Sequence, residues 1–254
     1  MPDSLLAHYW KRRCSSPSDY FLAKQQFCQH YAEQLFVSYV FAIGARAPHK
    51  IMIQPENAVV YNYEQLPSFN NSGQMALMEA VPFRLSPSLQ KFMGAAGIEG
   101  ILAESIFAMA HCFNTGEEGD MGVYLPLYLR EELVAFLLLS QQQQQQQQQH
   151  SPQPPSPSLP SGSPTQTFAD HMDKEAAIFR NFNHANLDSC ELLLKVKQNI
   201  ELVTKRIQTL AGCKTLEKVP EITTPVNQNI LDLLACATNI QKLALMDPSW
   251  HPWI

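Results

Sequence analysis

Apolar residues recur with helical spacing over much of the first part of the chain. One set returns at every fourth position between Phe27 and Ile43, and a second set beside it widens the apolar stripe. This pattern predicts a long helix that is buried on a broad face. Ser16, Pro17 and Asp19 supply a capping hydroxyl, a first-turn proline and a first-turn acid, so we expect the helix to begin there. Gly44 is its predicted end.

Two short strands are predicted directly after this helix. Ile51–Ile53 and Ala58–Tyr61 are apolar runs on either side of a polar turn, which is typical of a hairpin. Helical spacing then returns, and three further helices are predicted. They cover Leu89–Ala95 with an end at Gly97, a segment that starts beyond Gly100, and Leu125–Leu139.

The last part of the chain is also helical by its pattern. Between Leu193 and Leu210 the apolar residues alternate spacings of three and four, as in the seam of a coiled coil, and Gly212 is the predicted end. Another helix is predicted with Ile230 and Ile240 on its apolar face. The pattern as a whole indicates a mainly α fold with a few short strands.

One stretch has no pattern that could form a core. Residues 141–149 are unbroken glutamine, and serine and proline dominate residues 150–164. This composition predicts a disordered Gln/Ser/Pro-rich linker at 141–166, between a domain at 1–140 and a helical region at 167–254. We interpret the linker as an insertion that tolerates changes of length. The alternative is that its prolines, at 152–157, dock into an aromatic groove of a partner.

The composition disfavours several classes of function. The 254 residues are 45% apolar, which is enough for a core, and the net charge of −5 disfavours a general phosphate-binding surface. The six cysteines are dispersed without the spacing of a zinc site or a disulfide framework. The acidic loop at 116–122 does not have EF-hand spacing, so we expect neither a metal nor a cofactor. With no signal peptide and no apolar run of membrane-spanning length by pattern, we expect a soluble intracellular protein.

Two features predict buried contacts outside the helices. Arg84 stands alone among apolar residues at 81–85, and we expect it to pair with a buried carboxylate, of which Glu79 is the nearest candidate. The chain ends in an aromatic and proline-rich segment, and burying its two indoles could contribute on the order of several kcal/mol. We therefore expect this end to dock into a larger body. Its predicted interaction residues are Trp250, His251, Pro252, Trp253 and Ile254.

The segment from Phe41 to Ile53 has the layout of a kinase catalytic loop. It combines the end of a helix, a tight polar turn and a short apolar strand. In a working kinase such a loop carries an Asp that accepts the substrate proton and an Asn that holds magnesium, and a second metal-binding Asp follows. Residues 44–53 contain neither Asp nor Asn. The sequence therefore predicts the skeleton of this loop without its chemistry.

Three segments together resemble one protein family. Gly44–Ile53, Val81–Pro87 and Met246–Ile254 are similar to the C-terminal region of the TRRAP (transformation/transcription domain-associated protein) family of phosphatidylinositol kinase-related pseudokinases. The resemblance covers nearly all of the chain except the linker, and the terminal nonapeptide is its most specific part. It implies that residues 1–140 form a partial pseudokinase C-lobe, that the C-terminal helices end in a FATC segment, and that the chain is a fragment of a much longer protein.

The resemblance also implies which positions have lost their kinase residues. Active members of the group resemble G-D-R-H-x-x-N at the loop. The corresponding degenerate kinase positions here are Ala45, Arg46, Ala47 and Lys50, with Asn62 at the first position of the D-F-G motif. Ala45 has no group that could accept a proton, Lys50 places an ammonium where a metal ion would lie, and Asn62 offers only a neutral carbonyl.

We therefore expect a non-catalytic scaffold. The resemblance implies a transcription coactivator segment in nuclear histone acetyltransferase complexes such as SAGA. Its implied partners are acetyltransferase subunits and, through parts outside this chain, transcription activators, with no direct contact to nucleic acid or membrane. One alternative is an active Ser/Thr protein kinase that uses Glu64, Asp120 or His49 instead. The other is a free-standing helical adaptor whose Gln/Pro-rich linker recruits partners.

Overall fold

The computed structural model describes residues 3–44, 50–115, 121–149, 189–212 and 227–246. Several predicted features lie outside these ranges. They are Ala45, Arg46, Ala47 and His49 of the kinase-like loop, Asp120, most of the predicted linker, and the terminal residues Trp250, His251, Pro252, Trp253 and Ile254.

The described residues are mainly helical, which confirms the predicted fold class. The helices are α1 (Leu5–Arg13), α2 (Pro17–Val40), α3 (Pro87–Ala95), α4 (Ala103–Thr115), α5 (Met121–Gln149), α6 (Ser189–Ala211), α7 (Gln228–Ala237) and α8 (Ile240–Leu243). A π-helical segment (Ala96–Leu102) joins α3 to α4, and the strands are β1 (Ile51–Ile53) and β2 (Val60–Asn62).

Helix α2 is the central element of the core. The Ser16 hydroxyl accepts a hydrogen bond from the Asp19 N–H over 3.1 Å, so the predicted start is confirmed. The helix ends at Val40 and not at Gly44, because Ile43 leaves it to form a bridge with Pro67. The buried face of α2 contains Phe27, Cys28, Tyr31, Ala32, Leu35, Phe36, Ser38 and Val40.

The predicted hairpin is confirmed, although β2 begins two residues later than expected. The strands β1 and β2 are antiparallel, and Ile51 is opposite Asn62, while Ile53 is opposite Val60. The hairpin is fastened to α1, because Arg13 Nε donates a hydrogen bond to the Pro55 carbonyl over 2.8 Å. This contact ties the turn of the hairpin to the end of α1.

Residues Pro87–Thr115 form one continuous, largely apolar helical segment rather than two separated helices. Gly94, with φ of +67°, kinks this segment, and its π-helical part runs through Gly97 and Gly100, where the sequence pattern predicted a gap. By length and composition alone the segment could cross a membrane, which corrects the expectation that no segment is long enough. Phe92, Met93 and Ile106 lie in the same buried core as α2.

Helix α6 contributes a large share of the core. It packs against α2, α4 and α5, and it ends at Gly212, as predicted, with φ of +73° at that glycine. Helix α7 ends at Ala237, because the Asn239 side chain accepts a hydrogen bond from the Lys242 N–H and starts α8. Ile240 was predicted on the apolar face of this helix, but it lies in α8 and is exposed. The buried residues of α6 are Leu192, Val196, Asn199, Val203, Ile207, Leu210 and Ala211.

The predicted start of the disordered linker is wrong by at least nine residues. Residues 141–149 were expected to be disordered, but α5 continues through Gln149. Glutamine has a good helix propensity, and adding residues to an existing helix avoids the cost of nucleation. Helix α5 therefore extends beyond Leu139, its predicted end.

Candidate functional site

Ala42 and Gly44, in the first part of the kinase-like segment Phe41–Ile53, form backbone hydrogen bonds with the segment that follows β2. The Gly44 N–H donates to the Leu66 carbonyl over 3.2 Å, and the Ser68 N–H donates to the Ala42 carbonyl over 2.9 Å. A Cβ added at Gly44 would lie 2.1 Å from Ser68 Oγ, so the close approach of the two segments favours glycine. The site is therefore built on a fixed frame of backbone hydrogen bonds.

Lys50, in the second part of the kinase-like segment, forms an ion pair with Glu64. Lys50 precedes β1 and Glu64 follows β2, so the two side chains meet across the open end of the hairpin. The backbone continues the strand pairing there, because the Tyr63 N–H donates to the Lys50 carbonyl over 2.8 Å. The pair is partly exposed, with 29% of the Lys50 side chain and 34% of the Glu64 side chain accessible to solvent.

This pair decides what either residue can do chemically. The Lys50 ammonium occupies the Glu64 carboxylate as its ion-pair partner. A divalent ion near Glu64 would have to displace the ammonium or lie close to it, and like charges repel at that distance.

Asn62 lies at the end of β2 and lines a small cavity of mixed polar and apolar character. Its N–H donates to Gln34 Oε1 over 3.1 Å, which ties β2 to α2. The cavity has a volume of about 20 Å³, enough for roughly one water molecule and far below the ~300–1,000 Å³ of ligand pockets. Its walls are formed by Tyr31, Gln34, Leu35, Ser38, Ile51, Asn62 and Arg84.

Arg84 is a buried cation on the far wall of this cavity. It is only 4% exposed, and the Tyr31 hydroxyl donates a hydrogen bond to its carbonyl oxygen. Burial lowers the pKa of Arg84 to about 10, against the opposing attraction of Tyr31 and then of Glu79. The guanidinium is therefore charged near neutral pH. The attraction to Glu79 agrees in sign with the expected ion pair, which stays a prediction.

The structure brings together only part of the predicted site. Lys50 and Asn62 share the hairpin, and Asn62 shares a cavity with Arg84. Tyr31 and Gln34 complete that cavity and were missed by sequence reasoning. Tyr31 belongs to the predicted apolar stripe of α2, so only its hydroxyl and the side-chain amide of Gln34 could have indicated a polar contact there. Within the described ranges, no group of three or more His, Cys, Asp or Glu side chains could hold a metal ion.

Comparison with known proteins gives the family. The model of the phosphatidylinositol 3- and 4-kinase family matches residues 1–136, which is more than half of the chain. The chain belongs to this family.

Whole-chain similarity extends to large transcription-associated proteins. The full chain is 28% identical to the SAGA complex/NuA4 acetyltransferase complex subunit Tra1 of Schizosaccharomyces pombe. It is 24% identical over its full length to the transformation/transcription domain-associated protein of Homo sapiens. The chain spans 6% of the length of each of these relatives. The resemblance to the TRRAP family is thereby confirmed.

A protein kinase is also among the relatives. The serine/threonine-protein kinase SMG1 of Danio rerio is 25% identical over 117 residues, which cover 46% of this chain and 3% of that protein. This similarity covers less than half of the chain. The relatives therefore include both transcription-associated proteins and a kinase, and the choice between these functions depends on the site.

Proposed function

We propose that this chain is a non-catalytic pseudokinase segment that serves as a scaffold. The observation that carries the proposal is the ion pair between Lys50 and Glu64. The resemblance assigns Lys50 to the position of the metal-binding Asn. Its ammonium is engaged with Glu64, an acid that a displaced metal site would have to use.

The surroundings of the ion pair support the same conclusion. Magnesium prefers carboxylate and phosphate oxygens in octahedral geometry, whereas the hairpin offers an ammonium, an amide and a carboxylate that is already paired with that ammonium. Arg84 adds a second cation on the wall of the Asn62 cavity. Losing a positioned base costs about a hundred- to ten-thousandfold in rate, even before the metal is considered. Together these features disfavour phosphoryl transfer.

The partners in this proposal follow from the relatives. Tra1 of Schizosaccharomyces pombe is named as a subunit of the SAGA and NuA4 acetyltransferase complexes. We propose that this chain likewise belongs to a histone acetyltransferase complex in the nucleus, with activators bound through parts of the protein outside this chain. We further propose that residues 1–140 correspond to the kinase C-lobe and that the helices after the Gln/Ser/Pro-rich stretch lead into a FATC segment.

A binding and transfer experiment tests the absence of catalysis. Calorimetry with ATP and magnesium is expected to show no metal-dependent binding, and radiolabelled ATP is expected to transfer no phosphate to protein substrates. Two variants are the matched controls. Glu64→Ala removes the alternative acid, and the triple variant Ala45→Asp, Lys50→Asn, Asn62→Asp introduces the residues that active relatives have at these positions. Magnesium-dependent transfer by the unmodified chain that disappears in Glu64→Ala would establish the kinase alternative.

A second experiment tests the proposed partners. A tagged chain expressed in cells is expected to co-purify with acetyltransferase subunits, compared with the tag alone. A stable monomer that recovers no such subunit, and that shows no dye binding to exposed apolar surface, would favour the free-standing adaptor.

A further inference from the structure

Helix α6 holds a loop that is remote from it in sequence. Asn199, near the middle of α6, is fully buried, and its side-chain amide is used at both ends. Its Oδ1 accepts a hydrogen bond from the Met75 N–H over 2.8 Å, and its Nδ2 donates to the Gly73 carbonyl over 3.0 Å. The amide thus pairs with the loop backbone as a neighbouring strand would.

Arg206 extends this contact along the same helix. It follows Asn199 by seven residues, which places both side chains on one face of α6. Its Nη2 donates to the Met75 carbonyl over 3.2 Å. Its Nη1 donates to the carbonyls of Tyr39 and Val40, over 3.3 Å and 3.0 Å, in the last turn of α2, where helix carbonyls lack intrahelical partners.

The loop also fits tightly between two helices. Gly73 has φ of +78°, a conformation that favours glycine. A Cβ at this position would lie 3.2 Å from Leu133 Cδ1 on α5 and 3.3 Å from Lys195 Cδ on α6. Met75 is only 2% exposed, and both of its backbone polar groups are bonded to α6. The loop also has hydrogen bonds of its own around Asn70, so α6 adds to a turn that is partly held by local contacts.

The same loop is connected to the kinase-like site. The Ala76 N–H donates to the Ser68 carbonyl over 3.0 Å, and the Ser68 N–H donates to the Ala42 carbonyl. Ala42 lies three residues before the degenerate position Ala45. A continuous series of hydrogen bonds thus runs from α6 through Met75 to the frame of the site.

We propose that α6 is an intramolecular clamp that sets the conformation of residues 66–76 and, through them, the surface around Ala42 and Gly44. Asn199 and Arg206 are its positioning residues. The clamp joins two parts of the chain that are separated by the Gln/Ser/Pro-rich stretch, so the shape of this surface depends on α6 being docked. A partner that binds residues 66–76 in this conformation would in turn stabilise the docking of α6.

Hydrogen exchange measured by mass spectrometry on the full chain tests the clamp. In Asn199→Leu, which keeps the branching and the number of side-chain heavy atoms but removes both hydrogen bonds, peptides covering residues 68–76 are expected to exchange at least tenfold faster. In Asn199→Asp, which keeps the acceptor for the Met75 N–H, a smaller acceleration is expected. Peptides from α2 and α4 are expected to stay within twofold of the unmodified chain.

Two further variants keep the test informative if Asn199→Leu does not fold. Arg206→Lys keeps a positive charge but loses the forked geometry, and it is expected to accelerate exchange at 68–76 as well. Thr204→Ala is the matched control, because its hydroxyl bonds only to the Ile200 carbonyl within α6. Unchanged protection of residues 68–76 in both Asn199→Asp and Arg206→Lys would overturn the proposal. A uniform acceleration over the whole chain would also overturn it, since Asn199 and Arg206 would then be general core residues.

Discussion

Lys50 and Glu64 form an ion pair across the open end of the β-hairpin. The pair is partly exposed, so its contribution to stability should be modest. In a double-mutant cycle with Lys50→Met and Glu64→Gln, we expect a coupling energy of about 0.5–1 kcal/mol. The coupling is measured by urea unfolding, and it should decrease at high salt because ions screen the pair. A coupling energy of zero at low salt would show that the pair does not form in solution.

Arg84 is expected to be more important for stability than any exposed arginine. Removing one partner of a buried charge pair typically costs about 3–5 kcal/mol, so Arg84→Ala should lower the free energy of unfolding by roughly this amount. Arg130→Ala, at an exposed position of α5, is the control and should change stability by less than about 0.5 kcal/mol. The measurement is thermal and urea unfolding of both variants. An unchanged melting temperature for Arg84→Ala would exclude a buried pair with Glu79.

Tyr128 should make the stability of the chain depend on alkaline pH. Its hydroxyl donates a hydrogen bond to the Gln65 carbonyl over 2.9 Å. Burial, followed by the nearby Glu132 carboxylate, raises the pKa of Tyr128 to about 12 from its ordinary value of 10.0. The native state thus keeps a proton that the unfolded chain loses above pH 10, so stability falls as the pH rises.

The sign of this effect is tested with Tyr128→Phe. The contribution of the pKa shift is fully present below pH 10 and is lost as the pH rises through about 12. Tyr128→Phe should lose about 1 kcal/mol at neutral pH, and the difference from the unmodified chain should shrink between pH 10 and 12. The measurement is urea unfolding across this range, with Tyr124→Phe, at an exposed position, as the control. A difference that is constant with pH would contradict the shifted pKa.

Two glycines should respond in opposite ways to alanine. Gly73 has a positive φ and close neighbours on α5 and α6, so Gly73→Ala should destabilise the chain by at least about 1–2 kcal/mol. Gly122 lies in the first turn of α5 with nothing within 4 Å of an added Cβ, so Gly122→Ala should stabilise it by up to about 0.5 kcal/mol. Unfolding midpoints measure both effects. Equal effects of the two substitutions would mean that the conformation at Gly73 is not the one described.

The local elements were largely predictable because they depend on short-range rules. The start of α2 follows from a capping serine and a first-turn proline, and the end of α6 follows from Gly212, which has a positive φ. The element ends that were predicted wrongly are those that distant contacts decide. Helix α2 stops before Gly44 because Ile43 pairs with Pro67, which no local pattern reveals.

The site was predictable in its chemistry but not in its contacts. The lack of Asp and Asn in residues 44–53 can be seen in the sequence, and it already disfavours a catalyst. The pairing of Lys50 with Glu64 needs the hairpin register, and the cavity between Asn62 and Arg84 needs the packing of the 81–87 segment on α2. The apolar residues of α6 were enough to explain why this helix is buried. Nothing in the sequence therefore indicated that the side-chain amide of Asn199 bonds to Met75.

The sequence by itself determined which elements form and which catalytic groups are missing, because helix caps, periodicity and residue chemistry act over a few positions. Only the tertiary structure decided which charges and amides meet, because those contacts join positions separated by many residues. Lys50 meets Glu64 through a hairpin, and α6 reaches the loop at Met75 from more than a hundred residues away. Such contacts form only when burial of the whole core outweighs the entropy of bringing these segments together.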